Sequence, residues 1–360
     1  MYNDNNNGYI YEREYGRLKK QTKRRTKKNP PHLLIITDIL LIAVAIFVFS
    51  LFNHVLPSFG GEDLSKQDGR TATPPRITPA RRTPDPEATG EQGTEEIGID
   101  TIDYSNWGYK FPDKFTDGEI ISTETTYKSK DIDVTVTKVQ ENGVTYFIQD
   151  IYVRKIECFR TAFAKDKQGR GYVEGILSMA KNNQAICAIN GDYYGAHPAT
   201  GGMIRNGFCY DSGRTDGEVC VLYYDGTMKV HKGNFYNDQV SADNGYQSWF
   251  FGPSLLSDDG RAMTEFKTTV SGLNPRTAVG YYEPGHYCFV LVDGRQDGYS
   301  KGMRMAELSK LFETLGCKVA YNLDGGQTST MTFMDKVANQ PYNGGRSCSD
   351  ILFICEWTEE

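Results

Sequence analysis

The chain has 360 residues, 40 Lys+Arg against 46 Asp+Glu, 39% hydrophobic residues and 12% aromatics. That composition excludes a wholly disordered chain, and the length allows about two domains. A net charge of −6 argues against a nucleic-acid partner.

The charge is unevenly spread. Residues 1–32 hold nine basic residues against Asp4, Glu12 and Glu14, so the rest of the chain carries the other 31 basic and 43 acidic ones. Directly after the basic run comes LLIITDILLIAVAIFVFSLF, Leu33 to Phe52, with Asp38 its one charge. Twenty such residues at about 1.5 Å rise per residue match a hydrocarbon core of roughly 30 Å. A cleaved signal peptide would have a shorter apolar region and a small-residue cleavage site. The expectation is therefore a basic cytoplasmic tail (1–32) and one transmembrane helix (33–55). The positive-inside rule then predicts a single-pass membrane protein with everything beyond outside the cytoplasm. Residues 56–100, rich in Pro, Thr, Gly and charge, read as a disordered stalk.

The head divides by pattern into a β-rich lead-in (101–165) and a second region (166–360). In the lead-in, IDVTVTKV and VTYFIQDIYV flank Glu141-Asn142-Gly143 as a hairpin, and IECFRTAF follows as a strand. Tyr172 to Asn182 has helical spacing, and AICAIN (185–190) reads as a short buried strand. A second hairpin is expected over 219–231 around Asp225-Gly226. YCFVLVD (287–293) is a buried-strand pattern. Met305, Leu308, Phe312 and Leu315 make the apolar stripe of a helix that Gly316 ends. VAYNL (319–323) and ILFIC (351–355) complete the strands. Strand, helix, strand at this length predicts a parallel pair with a right-handed crossover. The fold-class expectation is accordingly α/β (mixed α+β), a mixed parallel/antiparallel sheet plus the N-terminal membrane helix.

All eight cysteines lie beyond residue 157, and none forms C-x-x-C. An oxidising exterior permits disulfides, while cysteines inside apolar strands fit equally well as free buried thiols. The five histidines are scattered, and there is no H-E-x-x-H, G-x-S-x-G, Walker A or EF-hand pattern.

Chemistry concentrates at three strand ends. Asp293-Gly294-Arg295, Asp324-Gly325-Gly326 and Asn190-Gly191-Asp192 each place a polar residue, a glycine and a charge after an apolar strand. The predicted parallel pair puts Asp293 and Asp324 at one sheet edge, where ligands of open α/β sheets bind. A lone Asp-Gly is a turn; three at strand ends, with Arg205, Arg276, Arg295 and Arg346 in the sequence around them, suggest an anion site.

These strings resemble the phosphodiester glycosidase family. The matching residues are Ala188-Ile189-Asn190-Gly191-Asp192-Tyr193-Tyr194, GMIRNG (202–207), Phe251-Gly252-Pro253, Asn274-Pro275-Arg276-Thr277-Ala278, Val292-Asp293-Gly294-Arg295, Asn322-Leu323-Asp324-Gly325-Gly326, and Arg346 in GGRSCSD. The family usually reads N-L-D-G-G-G-S-S; here Gln327 and Thr328 stand where that string has its third glycine and first serine. The resemblance implies an extracytoplasmic hydrolase that cleaves the bond between a sugar's anomeric carbon and a phosphate oxygen, in cell-envelope or exopolysaccharide glycans. It implies Asp324 as principal carboxylate, with Asp293 and Asp192 behind it. Arg276, Arg295, Arg205 and Arg346 would bind phosphate or substrate together with Asn190, Asn322, Thr328, Ser329 and Thr330. Gly325 and Gly326 would lend backbone N–H groups. No spacing demands a cofactor; carboxylates beside phosphate admit a divalent cation. The partners expected are a glycan phosphodiester and, through one helix, a membrane. Two rivals stay open: a non-catalytic module binding envelope glycan or teichoic acid, and a phosphodiesterase that cuts P–O.

Overall fold

The structure, a computed structural model, describes residues 106–192, 194, 203–211, 214–215, 217–232, 235–236 and 244–357. The expected tail, membrane helix and stalk lie outside these residues.

The larger sheet has seven strands. Four come from the lead-in: β1 (Ile121–Ser122), β2 (Thr126–Lys128), β3 (Ile132–Glu141) and β4 (Val144–Val153). Three come from the C-terminal third: β14 (Arg276–Glu283), β15 (His286–Val292) and β16 (Val319–Asn322). Their order is β1-β2-β3-β4-β15-β14-β16. The β3–β4 hairpin forms as its sequence predicts. Asn142 and Gly143 have φ of 52° and 73°, the positive pair that a two-residue hairpin loop requires.

A five-stranded sheet contains β5 (Phe159–Phe163), β6 (Cys187–Asn190), β17 (Met331–Phe333), β18 (Lys336–Val337) and β19 (Asp350–Ile354), in the order β18-β17-β6-β19-β5. Smaller sheets are built from β7 (Met203–Arg205) with β8 (Phe208–Asp211), and from β9 (Arg214–Thr215) with β12 (Phe235–Tyr236). The remaining three strands, β10 (Glu218–Tyr223), β11 (Met228–Lys232) and β13 (Gly245–Trp249), pair with β10 in the middle.

Two α-helices occur among the described residues: α1 (Ile176–Asn182) and α2 (Met305–Leu315). The two large sheets pack face to face through Phe159, Ile189, Phe289, Tyr321 and Leu352. On the outer face of the larger sheet, α2 lays Met305, Leu308 and Phe312 against Ala278, Val290 and Ala320. On the outer face of the smaller one, α1 lays Ile176, Met179 and Ala180 against Ala188, Ile351 and Phe353. The unbroken apolar run of β15 follows from this layering. Tyr287, Phe289 and Leu291 face the other sheet, while Cys288, Val290 and Val292 face the helix.

Three expectations are corrected. The head is mostly β-sheet, not a mixed α/β domain, and every strand pairing among the described residues is antiparallel. The predicted parallel pair fails because β14 occupies the seat between β15 and β16 and pairs antiparallel with both. Those two strands still run in the same direction, so Asp293 and Asp324 do leave the sheet at one edge. The membrane helix is not among the elements: no helix of the described residues is long and apolar enough to cross a membrane. Smaller shifts have local causes. α1 begins four residues later than its periodicity suggests because Glu174 pairs with Cys348 through two backbone hydrogen bonds of 3.0 Å. α2 matches its pattern, opened by Glu307 Oε2 accepting from Arg304 N–H (2.7 Å) and closed by Gly316 at φ 83°.

Candidate active site at the strand ends

The ends of β6, β15 and β16 and the start of β14 meet at one edge. Asn190 ties them together. Its side-chain amide donates to Asp324 O (2.7 Å) and Gly191 O (3.2 Å), while its Oδ1 accepts from the Thr277 hydroxyl (2.8 Å) and Thr330 N–H (3.4 Å). Asn190 is wholly buried, so it positions the turn after β16 and does not face a ligand.

The three candidate carboxylates differ in their surroundings. Asp192 and the Arg205 guanidinium form a buried group with Asp350, a residue that sequence reasoning missed. Arg205 Nη2 donates to Asp192 Oδ1 (3.0 Å) and Asp350 Oδ2 (2.9 Å), and Nε to Asp350 Oδ2 (3.2 Å). Nη1 reaches the carbonyls of Ile204 and Ser248. All five guanidinium N–H donors are thus engaged, and Arg205 is 1% exposed. Asp192 also accepts from the N–H groups of Tyr194 and Phe250. Burial beside Asp192 holds the Asp350 carboxyl above the usual carboxylate range. Asp350 Oδ1 has no hydrogen-bond partner and lies over Gly191, where a Cβ would come within 2.0 Å of it. The only sequence signal for Asp350 was a charge heading the apolar strand ILFIC.

Asp293 is likewise enclosed. It accepts from Asn339 Nδ2 (2.7 Å), Tyr299 Oη (2.9 Å) and Gln340 N–H (3.0 Å). Burial raises its pKa and these donors oppose the rise. Its geometry suits holding the 296–300 and 339–340 segments together.

Asp324 differs from both. Its Oδ2 accepts from Arg346 Nη2 at 2.9 Å, and the Arg346 side chain is 42% exposed, so this ion pair reaches solvent. Burial raises the Asp324 pKa; the Thr328 hydroxyl, Arg346 and Gly325 N–H, all hydrogen-bonded to the carboxylate, pull it back. Thr328 Oγ1 also accepts from Arg346 Nε (2.9 Å).

Two further arginines stand beside this turn. The Arg295 guanidinium lies over Gly326, where a Cβ would come within 3.3 Å of it. It donates to Asn274 Oδ1 (2.7 Å) and sits 5.6 Å from the Tyr342 ring. Arg276 is buried and donates to the backbone carbonyls of Met303, Val270 and Gly272. Burial, and then repulsion from Arg295, lower its pKa to about 10. No ion pair with a carboxylate is seen for either residue among the described residues. The electrostatics favour an anion: three guanidinium groups stand near one turn, and Asp324 is ion-paired to one of them, Arg346.

The remaining candidates divide. Asn322 donates to Gly252 O (2.8 Å), and its buried Oδ1 has no partner. Ser329 Oγ is also buried without one, and Thr330 is buried beside Asn190. The glycine N–H groups are spent internally, Gly326 on Pro275 O (3.0 Å) and Gly325 on Asp324. Gln327 Nε2 donates to Gly345 O (3.2 Å), tying the turn to the 342–346 segment. Among the described residues no group of three or more His, Cys, Asp and Glu could hold a metal ion. A cavity of about 380 Å³ beside β5, bordered by Arg160, Phe163, Asn206 and Tyr210, lies apart from this turn and contains none of the candidate residues.

Residues 183–355, which hold all the candidate residues, match the model of the phosphodiester glycosidase family. A Bacillus subtilis (strain 168) protein, the SPbeta prophage-derived uncharacterized protein YomE, is 32% identical over 190 residues. That match covers 50% of this chain but only 29% of the relative. The fold is similar to the catalytic domain of zebrafish N-acetylglucosamine-1-phosphodiester alpha-N-acetylglucosaminidase, solved in a form auto-inhibited by its pro-peptide. The TM-score is 0.51 with 21% identity, over 63% of this chain and 83% of the other.

Proposed function

We propose that this protein hydrolyses sugar-1-phosphodiesters, breaking the bond between the anomeric carbon and the phosphate oxygen. The observation that carries the reading is the turn at 324–328: one carboxylate paired to a solvent-reaching arginine, with two more arginines beside it. A phosphate diester needs little acid assistance to leave, so holding its charge contributes more than protonating it. Arg346 and Arg295 are the proposed phosphate ligands. Arg276 is a buried source of positive potential that also secures the 270–274 segment. Asp324 is proposed to receive a proton from the attacking water or to stabilise the oxocarbenium-like centre. Water adds to the anomeric carbon as the carbon–oxygen pair departs with the phosphate. Asp192 and Asp293 are placed in supporting roles, because hydrogen-bond donors already occupy both.

The substrate class proposed is a phosphodiester-linked glycan of the cell envelope or an exopolysaccharide. A head outside the cytoplasm belongs to the same proposal, since the proposed envelope glycans lie there. Incubation of the full chain with a panel of sugar-1-phosphodiesters and envelope polymers, scored by release of free sugar, tests the reading. Tight binding with no release would favour the non-catalytic module instead.

A further inference from the structure

Two of the eight cysteines lie close together as unbridged thiols away from the strand-end site. Cys288 is in the middle of β15, and Cys317 follows the helix-ending Gly316. Both are buried, and their sulfurs are 3.7 Å apart. Gly280 faces Cys288 across the β14–β15 ladder. A Cβ there would lie 2.6 Å from Cys288 Sγ and 2.9 Å from Cys317 Sγ, so the two sulfurs share space that any other residue would fill. A disulfide requires sulfurs about 2.05 Å apart, so closure asks for less than about 2 Å of sulfur movement.

We propose that Cys288 and Cys317 form a disulfide that staples the C-terminal end of α2 to β15. Each thiol gives up its proton, the S–S bond forms, and the two electrons reduce an exchanging disulfide, such as oxidised glutathione, to two thiols. Burial raises the Cys288 thiol pKa, which keeps thiolate scarce in the folded head. The bond therefore forms most readily during folding, before α2 seals the layer. The closed loop includes Asp293, Arg295 and the whole of α2. Cross-linking a loop of this size restricts the unfolded chain, so the staple raises the unfolding temperature. This inference does not depend on the proposed activity.

The test refolds the full chain from urea into detergent with a glutathione redox buffer, alkylates free thiols, and maps the digest. The expected result is one cross-linked peptide joining residues 288 and 317, with the other six cysteines alkylated. The melting midpoint should lie roughly 5 °C or more above that of the same sample reduced with dithiothreitol. The double variant C288A/C317A should show no dithiothreitol-dependent shift. Alkylation of both residues at every redox ratio, cross-links to other cysteines instead, or a shift that survives in the double variant would overturn the proposal. If the double variant does not fold, the wild-type peptide map still decides.

Discussion

Asp324 is the residue on which the proposed chemistry turns, and its environment gives two pH effects with defined signs. Its pKa in the folded head lies above the ordinary 3.8 because burial outweighs Arg346 and Thr328. If the ionised form works, the rate rises with pH through that raised pKa. Stability moves the other way. Between pH 3.8 and the folded pKa the native state holds the proton more tightly than the unfolded chain, so stability falls as pH rises. Urea melts of wild type and Asp324→Asn across this range should diverge, wild type losing more stability as pH increases. Arg346→Ala removes a group that lowers the Asp324 pKa. The acidic limb of the pH–rate profile should then move to higher pH, and kcat/KM should fall by about 10- to 100-fold through lost phosphate binding. An unmoved limb would separate Arg346 from Asp324 functionally.

At the scale of elements, two substitutions separate folding from chemistry. Phe312→Ala leaves a cavity between α2 and the larger sheet and should cost about 3–5 kcal/mol in unfolding free energy. Per folded molecule it should leave turnover intact, as an activity assay normalised to native fraction would show. Gly191→Ala drives a methyl into Asp350 Oδ1 and must displace the Asp192–Arg205–Asp350 group. It should lower both stability and activity, with the Phe250 amide exchanging faster. The elements themselves were largely legible in the sequence. β-branched runs marked β3, β4, β15 and β16, the Asn142-Gly143 pair marked the hairpin, and Gly316 marked the end of α2. The seating of strands was not legible. Nothing local in NPRTAVGYY says that β14 lies between β15 and β16, because that neighbourhood is decided by long-range pairing.

For the molecule as a whole, two packed sheets with one helix on each outer face bring strand ends far apart in sequence to one edge. Antiparallel pairing through β14 delivers Asp293 and Asp324 to the same side that a parallel pair would have. The reading of three strand ends therefore located the edge despite the wrong sheet type. It could not rank the carboxylates. Asp192 is occupied by Arg205 and Phe250 N–H, 13 and 58 residues away, and Asp293 by Asn339 and Gln340, 46 and 47 away. Asp324 alone keeps a solvent-reaching arginine partner among the three, and that contrast appears only once the chain is folded. The most direct test follows hydrolysis of a sugar-1-phosphodiester by the full chain in ¹⁸O-labelled water, with wild type and Asp324→Asn side by side. The account predicts label in the released sugar and none in the phosphate, with the rate in the folded variant reduced by about 100-fold or more. Label in the phosphate, or full activity in the variant, would contradict it.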